Sequence, residues 1–181
     1  MQARDGALDQ VVTVDEQGRP TGSTGKLAAH AAPGVAHLAF SVVLFGGDGS
    51  VLLQQRSEAK YHFAGLWTNS CCSHPRPGEG VLEAAARRVD EELGVTLVDA
   101  EVVGSFWYRA EDEVSGLVEV EYDLVVRGRC DGELNPDPAE IGDLAWYGID
   151  AARDLCRPRV TPVATPWSSQ VLQLAASRPL A

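Results

Sequence analysis

The chain has 181 residues, of which 45% are hydrophobic, and its formal net charge at pH 7 is −11. This length and apolar content predict one domain spanning residues 1–181 with its core at about residues 11–177. The acidic balance argues against a nucleic-acid partner, and no apolar run is long enough to cross a membrane or act as a signal segment. We therefore expect a cytoplasmic protein, and its four scattered or adjacent cysteines are expected to be free thiols.

The first third of the chain is predicted to be rich in strands. Residues 10–14 are predicted to form a short strand, which is followed by turn-forming residues. Residues 22–34 are predicted to form a loop with one helical turn. The apolar runs 37–45 and 50–56 are joined by a glycine-rich turn, which predicts a β-hairpin. Residues 57–77 show neither helical nor strand periodicity.

The clearest helix is predicted over residues 79–93, followed by Gly94 as a C-cap. Its apolar residues recur at the helical period: Leu82, Ala85, Ala86, Val89 and Leu93. Its other face is charged: Glu83, Arg87, Arg88, Glu91 and Glu92. Taken alone, this face is explained without any function by salt bridges between residues four apart on a solvated surface.

Three further strands are predicted at residues 102–109, 117–127 and 145–147. The second of them alternates, which places three carboxylates on one face: Glu119, Glu121 and Asp123.

The chain ends in a predicted helix after a proline-rich connection. Thr165 offers an N-cap and Pro166 a first-turn proline for a helix from Trp167 to about Ser177. The order of the elements predicts an α+β fold, an α/β sandwich in which helices flank a mixed β-sheet.

A metal site is predicted from the histidines and the strand carboxylates. Three of the four histidines lie in loops or at strand edges, where their ring nitrogens could reach one ion: His30, His37 and His74. With Glu119 and Glu121 they form a donor set that suits manganese, magnesium or zinc. Alternatively, the two glutamates form the solvent face of an amphipathic strand. His62 is interpreted as an ordinary surface or hydrogen-bonded histidine, outside this site.

Several motifs carry a resemblance to a known family. Glu79, Arg87, Glu91, Glu92 and Gly94 occupy positions of the Nudix box, in which Ser73 replaces the first glycine and Arg88 replaces a glutamate. Other motifs follow in a fixed order along the chain: Lys26–His30, His37–Ser41, Arg56 with Lys60, Trp67–Pro75, Tyr108–Ala110, Glu119–Glu121 and Pro166-Trp167. In this order they closely resemble the type I isopentenyl-diphosphate delta-isomerases, a branch of the Nudix superfamily.

The resemblance implies an enzyme that converts isopentenyl diphosphate to dimethylallyl diphosphate, and a Nudix-like fold. Such an enzyme protonates an alkene to a tertiary carbocation and then removes a proton from the neighbouring carbon. Carried over by motif, Cys72 and Glu121 are the proton-transfer groups, Tyr108 assists Glu121, and Trp167 faces the cationic centre. Glu121 would deliver the first proton and Cys72 would take the second, although one sequence does not order the two transfers.

The resemblance also implies how the ligand and metals bind. Lys26, Arg56, Lys60 and Arg88 match the phosphate-binding positions for a small-molecule diphosphate. A Mg²⁺ ion would bridge the phosphate oxygens to Glu92. A second divalent ion, Mn²⁺ or Mg²⁺ with Zn²⁺ also compatible, would be held by the three histidines and two carboxylates named above. The oligomeric state stays open, and a monomer is assumed.

The competing interpretation is a Nudix hydrolase that cleaves a nucleoside diphosphate derivative, with Glu91 and Glu92 holding magnesium. Arg88 counts against it, because an arginine stands where such hydrolases carry a metal-binding glutamate. The thiol of Cys72 and the three histidines also have no use in hydrolysis.

Overall fold

In the computed structural model, which describes residues 9–159 and 163–177, the chain folds into two β-sheets with helices packed against them. The strands are β1 (Gln10–Val14), β2 (Pro20–Gly25), β3 (His37–Leu44), β4 (Val51–Arg56), β5 (Trp67–Thr68), β6 (Cys71–Ser73), β7 (Thr96–Glu111), β8 (Val118–Asp131) and β9 (Ile141–Tyr147). The helices are α1 (Lys26–His30), α2 (Val81–Leu93), α3 (Ile149–Leu155) and α4 (Ser168–Ala175).

The larger sheet is mixed, as predicted. Its order is β2-β1-β3-β8-β7, and β6 pairs with β3 on the edge opposite β8. Strands β3 and β8 run parallel, whereas the other pairs are antiparallel. The smaller sheet is antiparallel with the order β5-β4-β9. The α+β prediction is therefore confirmed, with two sheets in place of one.

The predicted hairpin of residues 37–45 with 50–56 is wrong. The turn forms, with Gly46 N–H donating to Ser50 O at 2.8 Å, but the two runs share a single β-bridge, between Phe45 and Val51. Strand β3 then lies in the larger sheet and β4 in the smaller one. Both strands are buried along nearly their whole length, so each needs layers on both faces, which a two-stranded hairpin cannot supply.

Four elements are absent from the sequence prediction: β2, β5, β6 and α3. Strand β2 has the sequence PTGSTG and no buried residue, so its pairing with β1 rather than any strand-like pattern makes it a strand. Strands β5 and β6 lie within the aperiodic stretch and are only two and three residues long. The N-cap of α4 is Trp167, two residues after the predicted Thr165.

Helix α2 confirms the predicted helix and its end. Gly94 adopts a left-handed φ of 68°, and its N–H donates to Asp90 O at 2.9 Å. The buried stripe differs slightly from the prediction, because Leu82 and Ala86 are exposed while Ala84 is buried. Glu92, expected on the solvated face, is buried as well, so this face of the helix points partly into the protein.

Two apolar layers hold the sheets together, one on each face of β3. Alternate residues such as Val42 and Leu44 pack with Val89 of α2, whereas Val43 packs with Leu172 of α4. This alternation follows from the two-residue period of a strand. Among the described residues, no helix is long and apolar enough to cross a lipid bilayer.

Ser70 connects the two sheets, which gives a test of this arrangement. Its buried hydroxyl donates to Leu52 O of β4 at 2.7 Å and accepts from Leu44 N–H of β3 at 2.8 Å. Ser70→Ala leaves both backbone groups unpaired, so we expect urea denaturation to show a loss of about 1–3 kcal/mol in unfolding free energy. Ser23→Ala removes an exposed hydroxyl from β2 and serves as the control. Equal stability of the two variants would contradict the proposed link.

Candidate active site

A cleft of about 550 Å³ lies where α1, β6, β8, α2 and Trp167 meet, a volume typical of small-ligand sites. Most of the predicted site residues line it: Lys26, Arg56, Lys60, Cys72, His74, Arg88, Tyr108, Glu119, Glu121 and Trp167. The other three predicted residues are buried beside it: His30, His37 and Glu92. The topology thus brings together residues from both halves of the chain.

Four side chains form a compact group of possible metal donors at the deep end of the cleft: His30, His37, His74 and Glu121. Their donor atoms all lie within 4.8 Å of one another. Glu121 Oε1 is 2.9 Å from His74 Nε2, 3.1 Å from His37 Nε2 and 3.7 Å from His30 Nε2. The parallel register of β3 with β8, which pairs His37 with Glu121, creates this proximity.

Hydrogen bonds to nearby backbone carbonyls orient two of these rings, those of His30 and His37. The Nδ1 atom of His30 lies 2.7 Å from Lys26 O one turn earlier in α1, and Nδ1 of His37 lies 2.7 Å from Val35 O. Because a carbonyl only accepts, each Nδ1 carries the proton and each Nε2 presents a bare lone pair. Gly34 has a φ of 90°, and a Cβ there would lie 2.7 Å from Val120 Cγ2, so glycine allows this loop to lie on β8.

This donor set fits a divalent metal ion. The Nε2 atom of His30 is buried and has no hydrogen-bond partner among the described residues. The Nε2 atoms of His37 and His74 face each other at 3.2 Å beside a carboxylate. Imidazole nitrogens with a carboxylate suit such an ion, and histidine ligands characteristically donate their other N–H to a carbonyl. A group that could bind a metal is therefore present.

A second, smaller group of possible donors shares His30 with the first. It contains His62 and Glu119, with His62 Nε2 only 2.7 Å from Glu119 Oε1. Of the two alternatives for His62, a surface or a hydrogen-bonded histidine, the hydrogen-bonded one is confirmed, but its place outside the site is wrong, because the ring is 7% exposed and lines the cleft. A histidine has no periodic signature within an aperiodic loop, and the only sequence signal was its position two residues after Lys60.

Tyr108 connects the two carboxylates. Its hydroxyl lies 2.9 Å from Glu119 Oε2 and 2.5 Å from Glu121 Oε2, across the β7–β8 pair. Burial and the neighbouring carboxylates raise the pKa of Tyr108 well above its usual value, which keeps the phenol protonated. Burial opposes the charge on Glu121, but His74, His30 and His37 together outweigh it and hold the pKa of Glu121 well below its usual range.

The thiol of Cys72 enters the cleft from β6, across β3 from Glu121. Its Sγ atom is 3.1 Å from Asn69 Oδ1, and the indole N–H of Trp167 donates to it at 3.3 Å. Burial and the nearby charge of Asp123 raise the pKa of Cys72 to about 12, so the group is a thiol rather than a thiolate. Cys71, its neighbour, is fully buried in the apolar layer beneath α2.

A second group of residues that line the cleft is cationic. Lys60 and Arg88 both pair with Glu140, a residue that the sequence interpretation missed, and Arg88 also pairs with Glu91 and Glu92. Burial opposes the charge of Glu140, yet Lys60 and Arg88 lower the pKa of this carboxyl to about 2.

Arg56 also lines the cleft, but two of its nitrogens are already used by the protein. Its Nε donates to Phe63 O and its Nη2 to His62 O, each at 3.0 Å. Arg56 therefore holds the loop that carries His62.

The sequence of the chain is similar to a known domain family and to named proteins from other organisms. The NUDIX domain family matches residues 35–169. A protein from Halorhodospira halophila, named isopentenyl-diphosphate Delta-isomerase, is 45% identical over 168 residues, which are 92% of this chain and 94% of that protein. A protein of the same name from Nocardia farcinica is 48% identical over 166 residues, which are 91% and 93% of the two chains.

Solved structures show the same fold at lower identity. A protein from Deinococcus radiodurans superposes with a TM-score of 0.71 at 18% identity, covering 92% of this chain and 99% of that one. A MutT NUDIX hydrolase from Burkholderia pseudomallei gives a TM-score of 0.60 at 22% identity, covering 78% and 98%. At such identities these structures support the fold alone.

The raised pKa of Cys72 predicts slow alkylation of this thiol. At pH 8 the thiolate fraction is far smaller than for a free thiol, so iodoacetamide is expected to label Cys72 about a hundredfold more slowly than glutathione. The labelling rate should increase as the pH rises towards 12. Peptide mass spectrometry measures it, with Cys72→Ala assigning the modified peptide. Labelling as fast as that of glutathione at pH 8 would show a stabilised thiolate instead.

Proposed function

The chain belongs to the isopentenyl-diphosphate Delta-isomerase family of NUDIX-domain proteins, and we propose that it interconverts isopentenyl diphosphate and dimethylallyl diphosphate. The observation that carries the proposal is the placement of Cys72 and Glu121 on strands that flank β3 on its two edges. Both side chains line one cleft. Double-bond migration requires two proton-transfer groups at opposite faces of a short carbon chain, which is the role this pair would take.

The chemistry of the two groups suits a proton exchange with the alkene. One group donates a proton to the terminal carbon, which leaves a tertiary cation, and the other removes a proton from the neighbouring carbon to form the new double bond. In the free protein the proton resides on the Cys72 thiol, while Glu121 is ionised. Delivery from Glu121, the order implied by the family resemblance, therefore requires that one proton passes from the Cys72 thiol to the Glu121 carboxylate before the alkene reacts. The carboxyl group can then give a proton, and the thiolate can take one. Tyr108 is placed to supply a hydrogen bond to that carboxyl group throughout.

Trp167 would stabilise the cationic intermediate. Its indole is buried, tilts against the Tyr108 ring at 5.5 Å and contacts Cys72 Sγ, so it lies beside the proton-transfer pair. A desolvated cation over an indole face gains about 2 kcal/mol, which corresponds to roughly thirtyfold in rate if it is expressed fully in the transition state.

The cationic end of the cleft would hold the diphosphate. Lys26, Arg56, Lys60 and Arg88 line it, and they concentrate positive charge in a protein that is otherwise strongly acidic. Burial lowers the pKa of Lys26, which a phosphate anion would counteract by favouring the charged ammonium group. Because Glu140 pairs with Lys60 and Arg88, it keeps these two side chains positioned in the free protein.

Two divalent ions complete the proposal. His30, His37, His74, Glu119 and Glu121 would hold Mn²⁺ or Mg²⁺, with Zn²⁺ also compatible, and Glu92 would hold a Mg²⁺ ion beside the diphosphate. When bound, the first ion would fix and polarise Glu121, and the second would neutralise phosphate charge.

Isotope incorporation tests the activity. Protein, Mg²⁺ and isopentenyl diphosphate in deuterated water are expected to yield dimethylallyl diphosphate that carries deuterium in its new methyl group, as measured by NMR. Release of phosphate or diphosphate without rearranged product would instead support a hydrolase.

Adjacent cysteines provide a matched pair of variants for the same assay. Cys72→Ala is expected to abolish turnover, as is Glu121→Gln, because each removes a proton-transfer group. Cys71→Ala is expected to keep most of it, since Cys71 is fully buried beneath α2 and away from the cleft. Equal losses from the two cysteine variants would refute the choice of thiol.

A further inference from the structure

The fourth histidine of the chain has no role in the reaction proposed above, yet it lies at the metal-binding end of the cleft. We propose that His62 is a positioning residue of the metal centre, which orients Glu119 through a hydrogen bond. The proposal rests on the proposed function for the identity of the metal ligands. It adds a residue that contacts a ligand rather than the substrate.

Glu119 is held at both of its carboxylate oxygens. Oε1 accepts from His62 Nε2–H at 2.7 Å, and Oε2 lies 2.9 Å from the Tyr108 hydroxyl. The carboxylate is 4% exposed, so water does not compete for these contacts. The His62 donor on one oxygen and the Tyr108 hydroxyl against the other, which lies between Glu119 and Glu121, leave Glu119 little rotational freedom, and its remaining lone pairs can face an ion.

The tautomer of His62 differs from that of His30 and His37, two of the three ligand-type histidines. His30 and His37 donate from Nδ1 to backbone carbonyls and therefore present a bare Nε2. In His62 the Nδ1 atom has no hydrogen-bond partner among the described residues, whereas Nε2 lies at hydrogen-bond distance from a carboxylate. A neutral ring that faces a carboxylate at 2.7 Å carries its proton on Nε2, so His62 donates to Glu119 in the free protein. His74 has the same pattern towards Glu121, and the His62→Gln variant below separates the orienting role of His62 from direct ligation.

The loop around His62 is itself fixed. Arg56 donates to the backbone carbonyls of His62 and Phe63, and the Phe63 ring packs edge-on against Trp167 at 5.2 Å. The imidazole is thus held by the backbone as well as by its own contact with Glu119. A ligand whose partner is immobilised in this way is pre-oriented before the ion arrives, and such outer partners typically affect metal affinity strongly.

The test measures Mn²⁺ binding to the full chain without substrate, with free Mn²⁺ quantified by electron paramagnetic resonance. His62→Ala is expected to weaken Mn²⁺ binding by about 10- to 100-fold, the range usual for such outer partners. His62→Gln, whose amide N–H can occupy the place of Nε2–H, is expected to restore most of the affinity. Affinity unchanged in His62→Ala overturns the proposal, and affinity as weak in His62→Gln as in His62→Ala overturns the orienting role in favour of direct ligation.

Two controls separate this role from a merely structural one. Phe63→Leu removes the ring that packs against Trp167 but keeps the Arg56 contacts with the loop backbone and the His62 contact with Glu119, so it is expected to lower the melting temperature while leaving Mn²⁺ affinity unchanged. In a Glu119→Ala background, His62→Ala is expected to add little further loss, because the two residues act through one contact. Additive losses, or an affinity loss in Phe63→Leu equal to that in His62→Ala, contradict the proposal.

The Mn²⁺-binding experiment still tests the role of His62 if His62→Ala does not fold or if the protein is not an isomerase. His62→Asn, whose amide is one methylene too short to reach Glu119 Oε1, replaces His62→Ala if the latter is unstable and is expected to bind Mn²⁺ as weakly. Since Mn²⁺ binding is measured without isopentenyl diphosphate, a protein that binds Mn²⁺ through His62 but shows no isomerisation would refute the proposed function alone.

Discussion

The burial of ionisable side chains on strand β8 is the constraint on which the rest of the site depends. Glu119, Glu121 and Asp123 point to one face of that strand and are nearly inaccessible to water. Isolated buried carboxylates are costly, so each requires donors or a cation. His62 donates to Glu119 at 2.7 Å, the Tyr108 hydroxyl lies between Glu119 and Glu121, and Ser41 donates to Asp123 at 2.7 Å. His30 Nε2 nevertheless has no hydrogen-bond partner among the described residues, so this buried nitrogen is available to a bound ion.

The cleft has two ends with different physical character. At one end, Lys60, Arg88 and Glu140 form an ion-paired surface that an anion can enter by exchanging partners. At the other end, Cys72 and Trp167 are enclosed, and burial keeps the thiol protonated. The ion-paired end would suit the charged head group of a ligand, and the enclosed end would suit a short apolar tail. The separation also explains how a protein of net charge −11 can take an anionic ligand: the attraction is local and does not depend on the overall field.

Much of this could be predicted from residue patterns, and the failures have identifiable causes. The period of helix α2, its glycine cap and the alternation of β8 are local properties, and all three were predicted. The choice of strand that pairs with β3 is not a local property. Because β3 is apolar on both faces, its pattern is equally compatible with pairing to β4 across a tight turn and with pairing to β8 far along the chain. The position of His62 was misjudged for the same reason, since the burial of a polar residue depends on what packs over it, and Glu92 was predicted as a site residue through the family resemblance and not through its place on the helix.

Residue order was enough to predict the class of fold, the strongly periodic elements and the set of chemical groups available, because these depend on spacing and side-chain type. The tertiary structure alone decided that β3 and β8 run parallel in the register that pairs His37 with Glu121, that His62 contacts Glu119, and that Glu140 pairs with Lys60 and Arg88. These contacts join residues more than fifty positions apart, and which of them form is set by the packing of the whole chain. No short stretch of sequence records that packing.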